Sequence, residues 1–336
     1  MSTDFCNVVA REKNLDPGGY AGVADIFITL EMPLPWPRNL WQSEQLPDEL
    51  RRLVELWLQP ADAVWPFVAT PRPRLRPLAV VPDPESARRG YRRVMVHRRP
   101  RGRFADFNKT EYLLPEEGVG PFFWALLMEP SDLPSFERYR EAPRTTRDLL
   151  VCNHGSVDAA CAKFGYPLYE ALQAHAPEGV RVWRVSHFGG HVFAPTLLEL
   201  PAGRYWAYID GDKPTRLLTR QGDVRDFYGH YRGWSGLEHS FLQAAEREAL
   251  MREGWAWLDY AKSGVTVAQD DADEPSWAEV RLDFESADGR GGAYKAYVER
   301  EAAVATPSST GDDKLYCYPQ YRVTALDRIA TPTVGS

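Results

Sequence analysis

Residues 148–191 read DLLVCNHGSVDAACAKFGYPLYEALQAHAPEGVRVWRVSHFGGH, and the order of elements in this stretch decides the fold. Asp148 to Cys152 is a short apolar run that reads as a strand ending at Cys152, followed by the polar loop Asn153-His154-Gly155-Ser156-Val157-Asp158. A helix comes next. Proline is tolerated only in a first turn, so Pro167 places the continuous part of the helix from near Tyr166, with Leu168 and Leu172 facing inward and Ala174 near its end. Val180 to Ser186 then reads as a second strand, with His187 just past it. A right-handed crossover makes two such strands parallel, so the residues that follow them leave on the same edge of the sheet.

That edge gathers four metal-ligand side chains: Cys152 and Cys161 with eight residues between, then His187 and His191 with three between. Structural zinc sites draw their cysteines from a tight knuckle, for which eight intervening residues is long. The H-x3-H spacing of zinc hydrolases needs a helix and a Glu after the first His, whereas Phe188 and the pair Gly189-Gly190 stand here. A binuclear iron–sulfur centre relaxes both demands, because two Cys can serve one iron and two His the other. Gly189 and Gly190 would then give a bridging sulfide room, and backbone N–H groups to donate to it. A Cys2His2 zinc site and a metal-free thiol couple of Cys152 and Cys161 remain alternatives, although the C-x-x-C of such couples is absent. His154 either orients a neighbouring ligand or lines its loop. His97, His175, His230 and His239 read as structural or surface residues.

The rest of the chain divides into zones around this one. With 336 residues and 44% hydrophobic content, the chain exceeds one compact core, and three modules are expected: 1–144, 145–254 and 255–336. In the first, Asp25 to Glu31 alternates like a strand, and Leu50, Leu53, Val54 and Trp57 mark a helix beginning at Pro47 and Asp48. Leu78 to Val81 and Val94 to His97 read as strands, and Phe122 to Met128 as a buried strand or helix. In the second, Val192 to Leu200 and Arg204 to Ile209 form a hairpin across Pro201-Ala202-Gly203, and a helix from Leu237 ends near Gly254. In the third, Trp277 to Phe284, Ala293 to Val298 and Tyr316 to Thr324 read as strands, the last after the flexible loop TPSSTGDDK.

Composition narrows the function. No run approaches the roughly 18 apolar residues of a membrane span and no signal peptide is present, so a cytoplasmic protein without membrane contact is expected. Four Cys are too few for a disulfide scaffold, which points to a reducing compartment. A net charge of −7 argues against a nucleic-acid ligand. The local exception is RRGYRRVMVHRRPRGR, from Arg88 to Arg103, which contains no acid. It reads either as a solvated strand surface or as a docking patch for an acidic redox partner.

The segments VCNHGSVDAACAKFGYPLYEAL and VSHFGGHVFAPTLLELPAGRYW resemble the sucrase/ferredoxin-like proteins, which belong to the thioredoxin-like [2Fe-2S] ferredoxins. Members with mixed ligation are similar to C-x8-C followed by H-x-[GC]-G-H, matched here by Cys152, Cys161, His187, Gly189, Gly190 and His191. Cys6 and AGVADIFITLEMPLPW are similar to the family's opening, and Asn153 stands where many relatives carry Thr or Ser. The resemblance implies an α/β chain, α+β overall: a thioredoxin-like ferredoxin domain with an N-terminal α/β domain and a small C-terminal β-rich appendix. It also implies a [2Fe-2S] cluster held by Cys152, Cys161, His187 and His191 that carries single electrons to or from a redox partner protein; because the second nitrogen of a ligating His loses its proton more readily when the iron is oxidised, coupling to protons is expected. The word "sucrase" adds no chemistry, since glycoside hydrolysis needs two placed carboxylates and no segment identifies them.

Overall fold

The computed structural model describes residues 4–59 and 73–329. They form two compact units, one of residues 24–98 and 109–145, the other of residues up to 23, 99–108 and 146 onward. The chain's first residues group with residues 146 onward, as does the sheet of residues 261–329. The outermost parts of the expected first and last modules, residues 1–3 and 330–336, lie outside the described residues. Burial explains the grouping. The short helix Cys6–Glu12 buries Cys6 against Ala160 and Ala194, and Ala10 against Val192, Phe193, Ala207 and Tyr208. Residues 99–108 are tied in by the Phe104–Lys262 bridge and by the Phe107 N–H, which donates to the Pro201 carbonyl at 2.8 Å.

The unit of residues 24–98 and 109–145 holds strands β1 (Ile26–Glu31), β2 (Leu75–Val80), β3 (Tyr91–Arg98) and β4 (Asn108–Pro115), in the order β4-β3-β1-β2. β1 runs parallel to β2 and antiparallel to β3. Its side chains are buried at every position rather than alternately, as befits a strand that is central to its sheet. Ile26, Ile28 and Leu30 share a core with Leu50 and Leu53 of the Asp48–Trp57 helix. Phe122 to Met128, ambiguous in sequence, lies largely in the helix Val119–Leu127, whose Phe122, Phe123 and Leu126 join that core.

The arginine run is not one free patch. Arg93 is buried between Glu31 and Glu111, Arg92 pairs with Glu116 at 2.7 Å, and Arg88 lies over the Tyr91 ring. In the other unit Arg99 donates to the Gly236 carbonyl at 2.9 Å, and Arg103 pairs with Glu285 at 3.1 Å. The acids that pair with Arg92, Arg93 and Arg103 come from elsewhere in the chain.

The other unit contains the α/β module. β5 (Arg147–Cys152) pairs in parallel with β6 (Val180–Val185) and antiparallel with β7 (Leu197–Leu200). β8 (Arg204–Trp206) and β9 (Tyr231–Trp234) extend it in the order β6-β5-β7-β8-β9. The β-α-β module and the hairpin after it are those expected. The parallel pair is pinned at its start by buried Asp148, which accepts from Arg181 at 2.7 Å and from the Trp183 indole at 2.9 Å. The hairpin strands are shorter than expected, because residues 191–193 form a 3-10 turn and Pro195 follows before β7 begins.

The connecting helix, Ala159–His175, starts well before the expected Tyr166 and carries Pro167 in its interior. Two features permit this. The Asp158 side chain caps the helix by accepting from the Ala160 N–H at 2.8 Å. Asn153, with its amide turned to satisfy both neighbours, accepts the Tyr166 N–H at 2.8 Å and donates to the Val151 carbonyl at 3.3 Å, which gives a partner to a backbone donor beside the proline. The helix lies very close to β5, where a Cβ on Gly165 would stand 2.1 Å from the Cys152 carbonyl oxygen.

Past the module, the helix Ser240–Glu253 packs against β9 and against a second, antiparallel sheet, so it is buried on most sides. That sheet runs β10 (Ala261–Gln269), β11 (Trp277–Glu285), β12 (Gly291–Pro307) and β13 (Leu315–Ile329) in sequential order. β12 and β13 are far longer than the alternation in sequence indicates, and their hairpin tip is internally bonded: Ser308 Oγ donates to Asp312 at 2.9 Å and Ser308 N–H to the Lys314 carbonyl at 3.0 Å. The loop expected to be flexible is thus a structured turn. No described helix is long and apolar enough to cross a membrane.

Gly165→Ala tests the helix–strand contact. The new methyl group must displace backbone, and a loss of about 3 kcal/mol in unfolding free energy is expected from denaturant titration. An unchanged midpoint would contradict the close approach.

Candidate metal centre

Three of the four expected ligand residues converge. Cys152 is the last residue of β5, Cys161 lies in the first turn of the following helix, and His187 stands just beyond β6. Because β5 and β6 are parallel, their C-terminal ends share one edge, and the helix start returns Cys161 to it. Both sulfurs and one His187 nitrogen lie within 4.8 Å of one another, with His187 Nδ1 at 3.7 Å from Cys152 Sγ and 3.5 Å from Cys161 Sγ. Both cysteines are buried.

His191 is placed differently. Its ring lies beside that of His187, with centroids 5.3 Å apart and planes inclined at 35°. One of its nitrogens falls in a neighbouring group with Cys6 and Asp158, whose ligand atoms also lie within 4.8 Å of one another. Nε2 stands 2.6 Å from the Ser308 carbonyl and 3.9 Å from Asp158 Oδ2. A carbonyl can only accept, so Nε2 carries the hydrogen. Among the described residues, Nδ1 is buried without a hydrogen-bond partner.

His154, left open between two roles, holds the loop from both sides. Its Nδ1 accepts the His187 backbone N–H at 3.2 Å, and its own backbone N–H bonds to Cys152. Gly189 and Gly190 have φ of +96° and +82°, a region that L side chains rarely adopt. At Gly190 a Cβ would also stand 2.7 Å from the Arg232 guanidinium, which donates to the Gly189 carbonyl at 3.1 Å. Positive φ calls for glycine at both positions, and at Gly190 the Arg232 guanidinium also leaves no room for a Cβ. His175, His230 and His239 bond respectively to the Ala171 carbonyl, the Ala207 carbonyl and Thr266 Oγ1, away from the centre.

The two thiols are electrically unequal. Burial pushes Cys152 up, but hydrogen bonds from Cys161, His187 and the His154 N–H outweigh it and hold the thiol well below its ordinary value. Cys161 is pushed up, chiefly by its hydrogen bond to Cys152, with burial adding to it. The pair sheds its first proton easily and keeps its second, so a nearby cation is what would free both sulfurs. Asp158 is buried, which raises it, yet it stays below the usual carboxylate range because the Thr310 hydroxyl and N–H, the Ala160 N–H and the His191 ring all favour its charge. Cys6, facing Asp158 at 3.9 Å, is pushed up to about 11, mainly by burial.

Sequence reasoning missed Asp158, Cys6 as a neighbour of His191, and the hairpin tip at Ser308 to Thr310. Asp158 carried a usable signal, since Asp before a helix start is a capping residue. The other two are distant in sequence, and no local pattern marks them.

Two buried thiols and a half-buried imidazole this close, beside a second imidazole whose Nδ1 has no hydrogen-bond partner among the described residues, can hold a metal ion. No curated protein and no solved structure matches the chain. The sucrase/ferredoxin-like family model matches residues 18–233, a span longer than half the chain and one that contains Cys152, Cys161, His187 and His191. The chain therefore belongs to the sucrase/ferredoxin-like family.

Proposed function

We propose that this protein is an electron carrier whose [2Fe-2S] cluster is held by Cys152, Cys161, His187 and His191, and that it exchanges single electrons with a redox partner protein. The observation that carries the reading is the convergence of two sulfurs and His187 Nδ1 within 4.8 Å, beside a second histidine whose buried Nδ1 has no partner among the described residues. An orphaned buried nitrogen is costly unless something occupies it. The donor set is that of a centre with mixed thiolate and imidazole ligation.

When bound, such a cluster supplies one-electron chemistry, at a potential raised above the all-thiolate case by its two neutral ligands. The chain's own residues supply the rest. Cys152 is ready to act as thiolate, and His154 fixes the loop that bears it. Arg232 grips the Gly189 carbonyl and the Tyr20 carbonyl, setting the turn that carries both histidines. Burial of Cys152 and Cys161 excludes water from the sulfurs.

Metal and acid-labile sulfide analysis of anaerobically purified protein should find about two irons and about two sulfides per chain, with a visible charge-transfer spectrum. Colourless protein containing one zinc would overturn the reading in favour of a Cys2His2 zinc site. His191→Cys should retain the cluster at a lower potential, because a thiolate replaces a neutral ring; an unchanged spectrum and potential would remove His191 from the ligand set. For proton coupling the sign is fixed. Oxidised metal favours loss of a ring proton, so reduction is accompanied by proton uptake and the midpoint potential falls as pH rises. Voltammetry between about pH 6 and about pH 10 should show that slope, and a flat line would reject the coupling.

A further inference from the structure

The β12–β13 hairpin is longer than its sheet requires. Beyond Arg300 and Tyr321 the two strands run on together, pairing Val304 with Tyr318 and Pro307 with Leu315, and the tip carries Ser308, Ser309 and Thr310 to the metal centre. Beside longer contacts of Ser309 Oγ with His191 Nε2 at 3.4 Å and of Thr310 Oγ1 with the Cys6 N–H at 3.4 Å and Cys6 Sγ at 3.5 Å, three short ones are made there. The Ser308 carbonyl takes the Nε2 hydrogen of His191 at 2.6 Å. The Thr310 hydroxyl donates to Asp158 Oδ1 at 2.7 Å, and the Thr310 N–H donates to Asp158 Oδ2 at 2.9 Å. Asp158 is itself the cap of the helix that bears Cys161, with Oδ1 accepting from Ala160 N–H. The tip is thus fastened to the cysteine helix at one point and to the histidine ring at another.

We propose that this hairpin tip is a positioning strap for His191: Thr310 anchors it to Asp158, and the Ser308 carbonyl fixes the ring with Nε2 protonated, so that Nδ1 is the nitrogen free to ligate. The inference rests on His191 being a ligand, as proposed above, and adds which residues aim it. A ligating histidine whose outer N–H is held by a carbonyl has its tautomer and ring plane set in advance, and loss of such a partner typically costs about 10- to 100-fold in metal affinity. Ser308 acts through its backbone, so substitution at 308 would leave the contact in place. Thr310 is the side chain that keeps the tip where it is.

Two readouts test this, both on the full chain stripped of metal. The first is the imidazole 15N–1H correlation of His191, which reports Nε2–H directly and needs no metal. The second is Co2+ affinity, followed by its visible absorption bands. Thr310→Val, close in shape but without the hydroxyl, should abolish the distinct Nε2–H signal and weaken Co2+ binding by about 10- to 100-fold, while Thr310→Ser restores both. Asp158→Asn provides a second route, because Asn caps a helix as well as Asp does yet cannot accept both Thr310 bonds. It should produce the same two losses with the helical circular dichroism retained. If Thr310→Val or Asp158→Asn folds with signal and affinity intact, the strap is refuted. Should Thr310→Val not fold, Asp158→Asn decides alone. Purified protein lacking iron and sulfide, but showing the Nε2–H signal and its loss in Thr310→Val, would sink the cluster reading and leave the strap standing.

Discussion

The architecture of the centre depends on one close approach, that of the Ala159–His175 helix to the end of β5 at Gly165. With any larger residue there, the helix would have to stand off from the Cys152 carbonyl. Cys161 and Gly165 are four residues apart, so they lie on the same helix face, and the contact that seats Gly165 on β5 also turns Cys161 toward Cys152. Parallel pairing of β5 with β6 then delivers His187 to the same edge. Three donors from three different elements meet because two geometric rules, helical repeat and parallel register, act at once.

Around this meeting point the protein separates cysteines by environment. Cys152 accepts hydrogen bonds and sits beside an imidazole, which favours its anionic form; Cys6, a neighbour of His191, is buried against a carboxylate and is held as a thiol. Soft donors with such different electrical surroundings are not interchangeable, and the difference is what distinguishes the group of Cys152, Cys161 and His187 from that of Cys6, Asp158 and His191. Arg232 adds a fixed positive charge beneath the turn, packed over the rings of Phe193 and Tyr205.

How much of this the sequence disclosed follows from the range over which each interaction acts. The β5–helix–β6 order was legible from apolar patterning, and the convergence of Cys152, Cys161 and His187 from the parallel crossover that patterning implies. The helix start was misplaced because Pro167 looks like a first-turn residue until Asn153, from the preceding loop, is seen to accept the Tyr166 N–H. Strands β4, β9 and β10 went unread: β10, for instance, mixes Lys262, Ser263 and Gly264 with exposed Val265 and Val267, so no clean alternation survives. The arginine run looked like a free patch because Glu31, Glu111, Glu116 and Glu285, which balance it, lie in other segments. Ser308 could not be connected to His191 at all, since a carbonyl accepting one bond from a residue 117 positions away leaves no mark in composition or spacing.

That separation has a temporal consequence. Cys152, Cys161 and His187 lie within a span that can fold as soon as β6 has left the ribosome, since the β-α-β unit is local in sequence. The carbonyl that secures His191 is synthesised more than a hundred residues later, after β10 and β11 and at the far end of β12. A growing chain therefore has Cys152, Cys161 and His187 in hand well before the carbonyl that holds the His191 ring exists.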